Sequence, residues 1–311
     1  MTKNIFIENL KAGTNVESIF LVSEKEIRQK KGGSGEYLYM ILKDKTGQIT
    51  AFMWDNFEKI QKSIEPGVLI KAKGNVQVYN NKLQIVLQNV EIFNDTAEIN
   101  DFLPSTKEDI NLLYKKILET IKSLNNKELK TMLEGIYTNE EYKQLIVQVP
   151  AAKSYHHSCI GGLLEHTSSL VELTELILKH YKNLDRDLLI AGALLHDIGK
   201  IFEFNSQGFF DYTKQGKLIG HIVMGVQIVE KETNKIKDFP KELKENIIHL
   251  IISHHGELEF GSPKRPKTKE ALALHFLDLI DSHLKGFEEV LATSELDSVF
   301  SNQLGRFIFK T

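Results

Sequence analysis

The chain has 311 residues, more than one ordinary domain needs. Its formal net charge of −3 excludes a highly basic nucleic-acid coat while leaving room for a local basic groove. A 41% hydrophobic and 26% charged composition excludes large-scale disorder, and a single cysteine, Cys159, excludes internal disulfides and thiolate zinc clusters.

The first residues, MTKNIFIENLKAG, lack the basic start, apolar run and cleavage site of a secretory leader. No stretch approaches the roughly 18 apolar residues of a membrane span. These features, with the lone cysteine, point to a reducing cytoplasm and to no membrane partner.

Residues 1–95 read as strands. Strand formers at 36–42 and 48–54 flank an Asp44-Lys45-Thr46-Gly47 turn, a hairpin signature. A second pair, 68–79 and 83–87, turns at Asn80-Asn81, and an earlier strand lies near 20–22. A helix-like stretch at 56–64 separates the pairs. Five strands with a helix between the third and fourth predict an all-β OB-fold barrel. Lys25, Arg28, Lys30 and Lys31 precede Gly32-Gly33-Ser34-Gly35, which predicts a basic, flexible loop between the first two strands. Tyr37 and Tyr39 share one strand face, and Phe52 and Trp54 share a face of the next strand. OB-folds stack bases of single strands on such aromatics while basic loops follow the backbone. Alternation predicts that some of the four are core. A packing or oligomerisation module is the alternative for this domain, and a homo-oligomer stays open.

Residues 96–150 change character. Helical spacing at 108–124 and 126–137, entered through Pro104-Ser105-Thr106, predicts a helical connector or the start of the second domain. Residues 151–311 read as an all-α bundle, with helices predicted over 162–181, 186–196, 221–233, 241–254 and 268–286. The stretch 306–309 alternates weakly and has no assigned place.

All eleven histidines lie at or after His156, so metal or proton chemistry belongs to the second half. His166 lies on the first long helix. His196-Asp197 ends the apolar run 188–195, His221 opens the next helix, and His254-His255 ends another. Asp278 sits within the apolar stretch 271–280, where an uncompensated carboxylate is costly. His180 reads as surface, and His249 and His283 as structural. Five helices each offering an imidazole or carboxylate near the core is how bundles build metal sites. An N/O donor set without thiolate suits Mn, Fe, Co, Ni or Zn.

The pattern His…His-Asp…Asp on a helical bundle resembles the HD-domain metal-dependent phosphohydrolases over about residues 155–285. Gly-Gly-Leu-Leu-Glu-His-Thr and Leu-Leu-His-Asp-Ile-Gly-Lys carry the likeness. It implies metal ligation by His166, His196, Asp197 and Asp278, with His221 and His254 added in members holding two metals. Asp281 competes for the last position; the apolar flanks of Asp278 favour Asp278. His255 is either a seventh ligand or a substrate contact. The order of an OB-like domain and then an HD domain resembles the YhaM family of bacterial 3′–5′ exoribonucleases. The stretches His156-His157, 253–257 and 261–268 are similar to that family in particular. This implies release of nucleoside 5′-monophosphates from the 3′ end of single-stranded RNA, and of single-stranded DNA as a further candidate. It also implies two divalent ions, manganese favoured, with Mg, Co, Fe, Ni or Zn as alternatives.

Two metals can clamp a phosphodiester for in-line attack by an activated hydroxide, with Asp197 as the natural bridging carboxylate. Lys200, one helical turn after His196, is either a phosphate contact in catalysis or a solvated helix-end lysine. Lys264, Arg265 and Lys267, directly after His254-His255, are candidate phosphate contacts. Two rivals stand beside the exonuclease. One is an HD phosphodiesterase of nucleotides or cyclic dinucleotides, against which Gly256-Glu257-Leu258-Glu259 stands where cyclic-di-GMP hydrolases carry Gly-Tyr-Pro. The other is a non-catalytic nucleic-acid-binding protein with a structural metal.

Overall fold

Strand order closes the N-terminal half into a barrel. β1 (Asn15–Gln29), β2 (Glu36–Asp44), β3 (Gly47–Met53), β4 (Leu69–Tyr79) and β5 (Lys82–Ile92) lie in the order β1-β2-β3-β5-β4, with β4 pairing back onto β1. Only β3–β5 is parallel. This is the OB-fold. The computed structural model describes residues 3, 5–30, 32–33, 35–94, 99–152, 157–205, 211–292, 297–301 and 305–310. The chain divides into two compact units, one on residues 1–105 and 206–211 and one on residues 106–205 and 212–311.

Period-two alternation fills the barrel. Leu38, Met40 and Leu42 of β2 and Ile49, Ala51 and Met53 of β3 are buried inside. The register slips between Lys73 and Gly74, and there a Cβ on Gly74 would stand 2.4 Å from the Val86 carbonyl oxygen, so the strands pass only over glycine. The helix expected over 56–64 is a correction: the chain makes only turns there. Asn56 takes a left-handed φ of 60°, and helical bonds stop after Gln61 N–H to Phe57 O and Ile64 N–H to Ile60 O. What the segment supplies is Phe57 and Ile64, both buried in the barrel core.

In the second unit α1 (Ile110–Lys122), α2 (Lys127–Tyr137) and α3 (Glu140–Ile146) are started by Asp109, Asn126 and Asn139, whose side chains accept first-turn amides. Their Leu113, Ile117, Leu133 and Ile136 share one core with Leu164, Leu189, Leu250 and Leu274. Residues 106–150 are therefore built into the second unit rather than spanning between units as a connector. α4 (Gly162–His180), α5 (Arg186–Leu195), α6 (Lys200–Glu203), α7 (Lys214–Ile219), α8 (His221–Thr233), α9 (Lys241–Ser253) and α10 (Lys269–Ala292) complete the bundle. α5 is buried all round from Asp187 to Leu195, which is why its sequence shows no polar face. Asp187 on it accepts the Asn125 and Asn126 amides at 2.7 and 2.6 Å. The unplaced stretch 306–309 is strand β7 (Arg306–Phe309), antiparallel to β6 (Ser298–Ser301). Among the described residues, no helix is long and apolar enough to cross a membrane.

Candidate metal centre and nucleic-acid face

Backbone turns bring the donors together. After α5 the chain turns at 196–199, and Gly199 makes that turn a backbone-to-backbone contact. A Cβ there would lie 2.0 Å from the His221 carbonyl oxygen. Asp197 thus comes against the start of α8. His254 ends α9 and is followed by Gly256 at φ 80°, where a Cβ would lie 2.2 Å from the His275 ring. His275 donates from Nδ1 to the His254 carbonyl at 2.8 Å, so ring and turn fix each other.

Each imidazole is oriented through Nδ1. His196 donates to Ala193 O at 3.0 Å and His254 to Ile251 O at 2.6 Å. His166 donates to Asp281 Oδ2 at 2.7 Å, and His221 to both Glu203 oxygens at 3.1 Å. Every one therefore turns Nε2 inward. His166 Nε2 lies 3.1 Å from His196 Nε2 and 3.2 Å from Asp278 Oδ1. Nitrogens ~2.1 Å from one ion stand about 3.0–3.4 Å apart, so the two imidazoles have ligand spacing.

Asp197 faces both ways. Its Oδ2 is 3.3 Å from His196 Nε2 and 3.8 Å from His166 Nε2. Its Oδ1 is 3.5 Å from His221 Nε2 and 3.6 Å from His254 Nε2. Lys200 Nζ pairs with Oδ2 at 2.5 Å. Two donor groups result, His166 with His196 and Asp197, and His221 with His254 and His255. The donor set fits metal on an independent ground. Among the described residues, the buried side-chain atoms without a hydrogen-bond partner are Asp197 Oδ1, His221 Nε2, His254 Nε2 and Thr174 Oγ1. Three of those four converge here, and a cation is what such orphans lack.

The electrostatics match. Burial opposes ionisation of Asp197, but Lys200 and His196 outweigh it and hold its carboxyl well below the usual range. Burial likewise opposes ionisation of Asp278, and hydrogen bonding with His166 prevails and lowers it. Burial works against the His166 imidazolium, yet Asp278 and Asp281 prevail and raise it to about 9, so an ion at Nε2 would have to displace a proton there. Burial pushes His254 down, and takes His255 down to about 3 with help from His254 and His221. His255 is held by Nδ1 donating to Phe260 O at 3.0 Å, its ring 5.3 Å from that of His221.

Nothing in the sequence singles out Glu203 or His275, or the supporting place of Asp281. Glu203 carried no signal, since its four-residue helix is too short for periodicity. Asp281 was visible only as a rival to Asp278. The structure gives the two carboxylates opposite sides of one imidazole: Asp278 faces Nε2 and Asp281 faces Nδ1 of His166.

On the barrel, Tyr37, Tyr39, Phe52 and Trp54 all lie on the outer face of β2 and its continuation from β3, and none is core. That corrects the expectation that some would be internal; Leu38, Met40, Ala51 and Met53 take the inward positions instead. Ring centroids are 4.6 Å apart for Tyr37–Trp54, 5.9 Å for Phe52–Trp54 and 5.7 Å for Tyr39–Phe52. The basic loop is also corrected. Lys25 and Arg28 belong to β1, because the strand runs on to Gln29. Their charges are matched: Lys25 by Glu65 at 2.9 Å, Arg28 by Glu26 at 2.6 Å, and Lys30 beyond the strand by Asp55 at 3.3 Å. The Arg28 guanidinium lies 3.5 Å over the Tyr39 ring, which joins it to the aromatic face. Lys31 and His156 lie outside the described residues. Lys264, Arg265 and Lys267 are exposed in the second unit; Arg265 pairs with Glu257 at 2.6 Å, and the Lys267 amide donates to His249 Nε2 at 2.9 Å.

Comparison with known proteins agrees with both halves. The HD-domain family model matches residues 163–282, and an OB-fold nucleic acid binding domain model matches residues 22–93. A putative helicase model matches residues 94–184. Among solved structures, the second OB-fold domain of replication protein A from Methanococcus maripaludis is 22% identical, covering 32% of this chain and 100% of that one at a TM-score of 0.25. An OB domain from Thermoplasma acidophilum is 14% identical, covering 30% of this chain and 88% of that one at a TM-score of 0.24. The 3′-5′ exoribonuclease YhaM of Geobacillus sp. (strain WCH70) is 32% identical over 291 residues, which is 92% of this chain and 87% of that protein. With both domains matched in the same order, the chain belongs to the YhaM family.

Proposed function

We propose that this chain is a metal-dependent 3′–5′ exonuclease that removes nucleoside 5′-monophosphates from single-stranded RNA, with two divalent ions, manganese favoured, as cofactors. The observation that carries the reading is Asp197, whose two oxygens address two separate histidine groups while Oδ1 has no hydrogen-bond partner among the described residues. His166, His196 and Asp278 would hold one ion and His221 and His254, with His255 beside them, the other, with Asp197 within reach of both groups. Bound there, such ions activate a water and neutralise the charge of the attacked phosphodiester. Glu203 and Asp281 keep His221 and His166 turned inward. Lys200 holds Asp197 in place, and its ammonium favours a phosphate oxygen arriving beside it. The outer aromatic face of the barrel supplies stacking for unpaired bases, with Arg28 beside it, while Lys264, Arg265 and Lys267 contact the backbone. Single-stranded DNA offers the same base faces and is a second substrate. A chain with one cysteine, Cys159, suits a reducing cytoplasm.

The test uses 3′- and 5′-labelled RNA with and without Mn²⁺, products resolved by size. Mononucleotides should leave the 3′ end first, only with metal, and the 5′ label should shorten in single-nucleotide steps. Release from the 5′ end, internal cutting or metal-free cleavage would refute the reading. Matched DNA and cyclic dinucleotides in parallel lanes measure the rivals.

A further inference from the structure

Behind His166, on the side away from the two-ion centre, lies a buried chain of acid and imidazole groups that the reaction does not use. Asp281 follows Asp278 by three residues on α10, so both carboxylates sit on one helix face. Asp281 is 5% exposed. One of its oxygens takes the His166 Nδ1–H, and the other accepts from Ser169 Oγ on α4. His157 Nε2 lies 3.3 Å from Asp281 Oδ2, and His157 Nδ1 lies 3.4 Å from Glu165 Oε2. Thr106 Oγ1 donates to that same Glu165 oxygen at 2.6 Å.

The fold holds His157 in this place against its backbone preference. Its φ is 53°, left-handed and uncommon for a residue with a side chain, and it is 3% exposed. Its amide donates to Glu289 Oε1 at 2.9 Å, and its carbonyl accepts the Ala151 amide at 3.1 Å. A Cβ on Gly162 would stand 1.9 Å from that carbonyl oxygen, so glycine there leaves the room for it.

We propose that Asp281, His157 and Glu165 form a relay of positioning residues that locks the ring of His166, keeping its Nε2 on one of the two ions. The relay rests on the two-ion reading of the centre. Its members touch neither ion nor substrate and act through His166 alone, so they govern one ion and not its neighbour. Ligand atoms of His157, His166 and Asp281 also come within 4.8 Å of one another, close enough for an ion of their own. The 2.7 Å contact between His166 Nδ1 and Asp281 is hydrogen-bond length, and a neutral imidazole offers one lone-pair nitrogen, which His166 spends at Nε2. A relay therefore fits better than a third ion.

The test is calorimetric titration of metal-stripped full-length protein with Mn²⁺, for wild type, Asp281→Asn and His157→Asn. Asparagine tolerates the left-handed backbone of residue 157, so His157→Asn keeps the turn. Wild type should bind two ions. Asp281→Asn should weaken one by about 10–100-fold and leave the other within about twofold. His157→Asn should weaken the same ion, and less, with its melting temperature unchanged to within a few degrees. Two ions at wild-type affinity in both variants would overturn the relay and leave the two-ion centre standing. Three ions in wild type, with one lost in Asp281→Asn, would overturn it in favour of a separate site. No ion in wild type would remove the centre and the relay together.

Discussion

Replacing Asp197 with Asn keeps the side-chain shape and deletes the charge on which both donor groups converge. The cost to the metal-free fold follows from its contacts. Lys200 Nζ lies 2.5 Å from Oδ2, and the two side chains are 11% and 4% exposed. Breaking a buried pair from one side costs about 3–5 kcal/mol. Part is returned, because the carboxylate oxygen Oδ1 has no hydrogen-bond partner among the described residues and its desolvation costs about 1–3 kcal/mol. The net is about 2 kcal/mol, a fall in melting temperature of roughly 4–8 °C for a unit of this size. The metal effect is larger and separable. Supporting partners alone change affinity by about 10–100-fold, and a ligand shared by two ions should exceed that for both. Turnover of 3′-labelled RNA at limiting Mn²⁺ should therefore fall at least ~100-fold. Adding Lys200→Met removes the stranded ammonium and should restore the melting temperature without restoring metal. Calorimetric titration and melting curves on the single and double variants check both halves. Wild-type affinity for both ions in Asp197→Asn, or loss of only one, would refute the shared-ligand geometry.

Trp54 is 39% exposed, so Trp54→Ala should lower affinity for single-stranded RNA by about 1–3 kcal/mol in anisotropy titrations, with little change in melting temperature. The salt slope should stay as it was; by contrast Arg28→Gln with Lys30→Gln should flatten it by no more than about 1.4 units, and less where Glu26 and Asp55 already hold those charges. Gly256→Ala forces a Cβ toward the His275 ring at φ 80°, and should cost about 1–3 kcal/mol and lower Mn²⁺ occupancy with it; intact occupancy would show that this turn does not place His254. Burial draws the Lys3 ammonium down to about 8, whereas the unfolded chain keeps that proton to about 10.4. The unfolded state binds more protons between those values, so stability should rise with pH from about 8 toward 10.4, by up to about 3 kcal/mol, and Lys3→Met should remove that rise in chemical denaturation.

What was legible in the sequence was what periodicity and chemistry repeat. Strand formers on both sides of a glycine-containing turn mark the hairpin 36–42 and 48–54, and alternation marks 68–79. His196-Asp197, His254 and Asp278 stood out because polar groups interrupted apolar runs, and the structure brings them together with His166 and His221. What stayed hidden depended on partners distant in the chain. Whether Tyr37 and Phe52 face in or out is set by register with a neighbouring strand, since alternation gives two faces and does not say which is inside. Lys25 and Arg28 looked like free loop charges because Glu65 pairs from 40 residues away and the strand extends further than its apolar run. Glu203 orients His221 from a helix of four residues, too short to have a period.

The order of these parts along the chain gives synthesis a direction. The last barrel strand ends at Ile92, and the first histidine comes only at His156. Domains fold as units from the N-terminus while the ribosome adds about 5–20 residues per second. A barrel carrying its exposed aromatic face is thus complete seconds before any donor of the centre has been made. The donors then arrive one helix at a time, and Asp278 on α10 comes last, more than a hundred residues after His166. In a nascent chain still attached to its message, the unit suited to holding a strand exists first, and the unit suited to cutting it is assembled only when α10 docks.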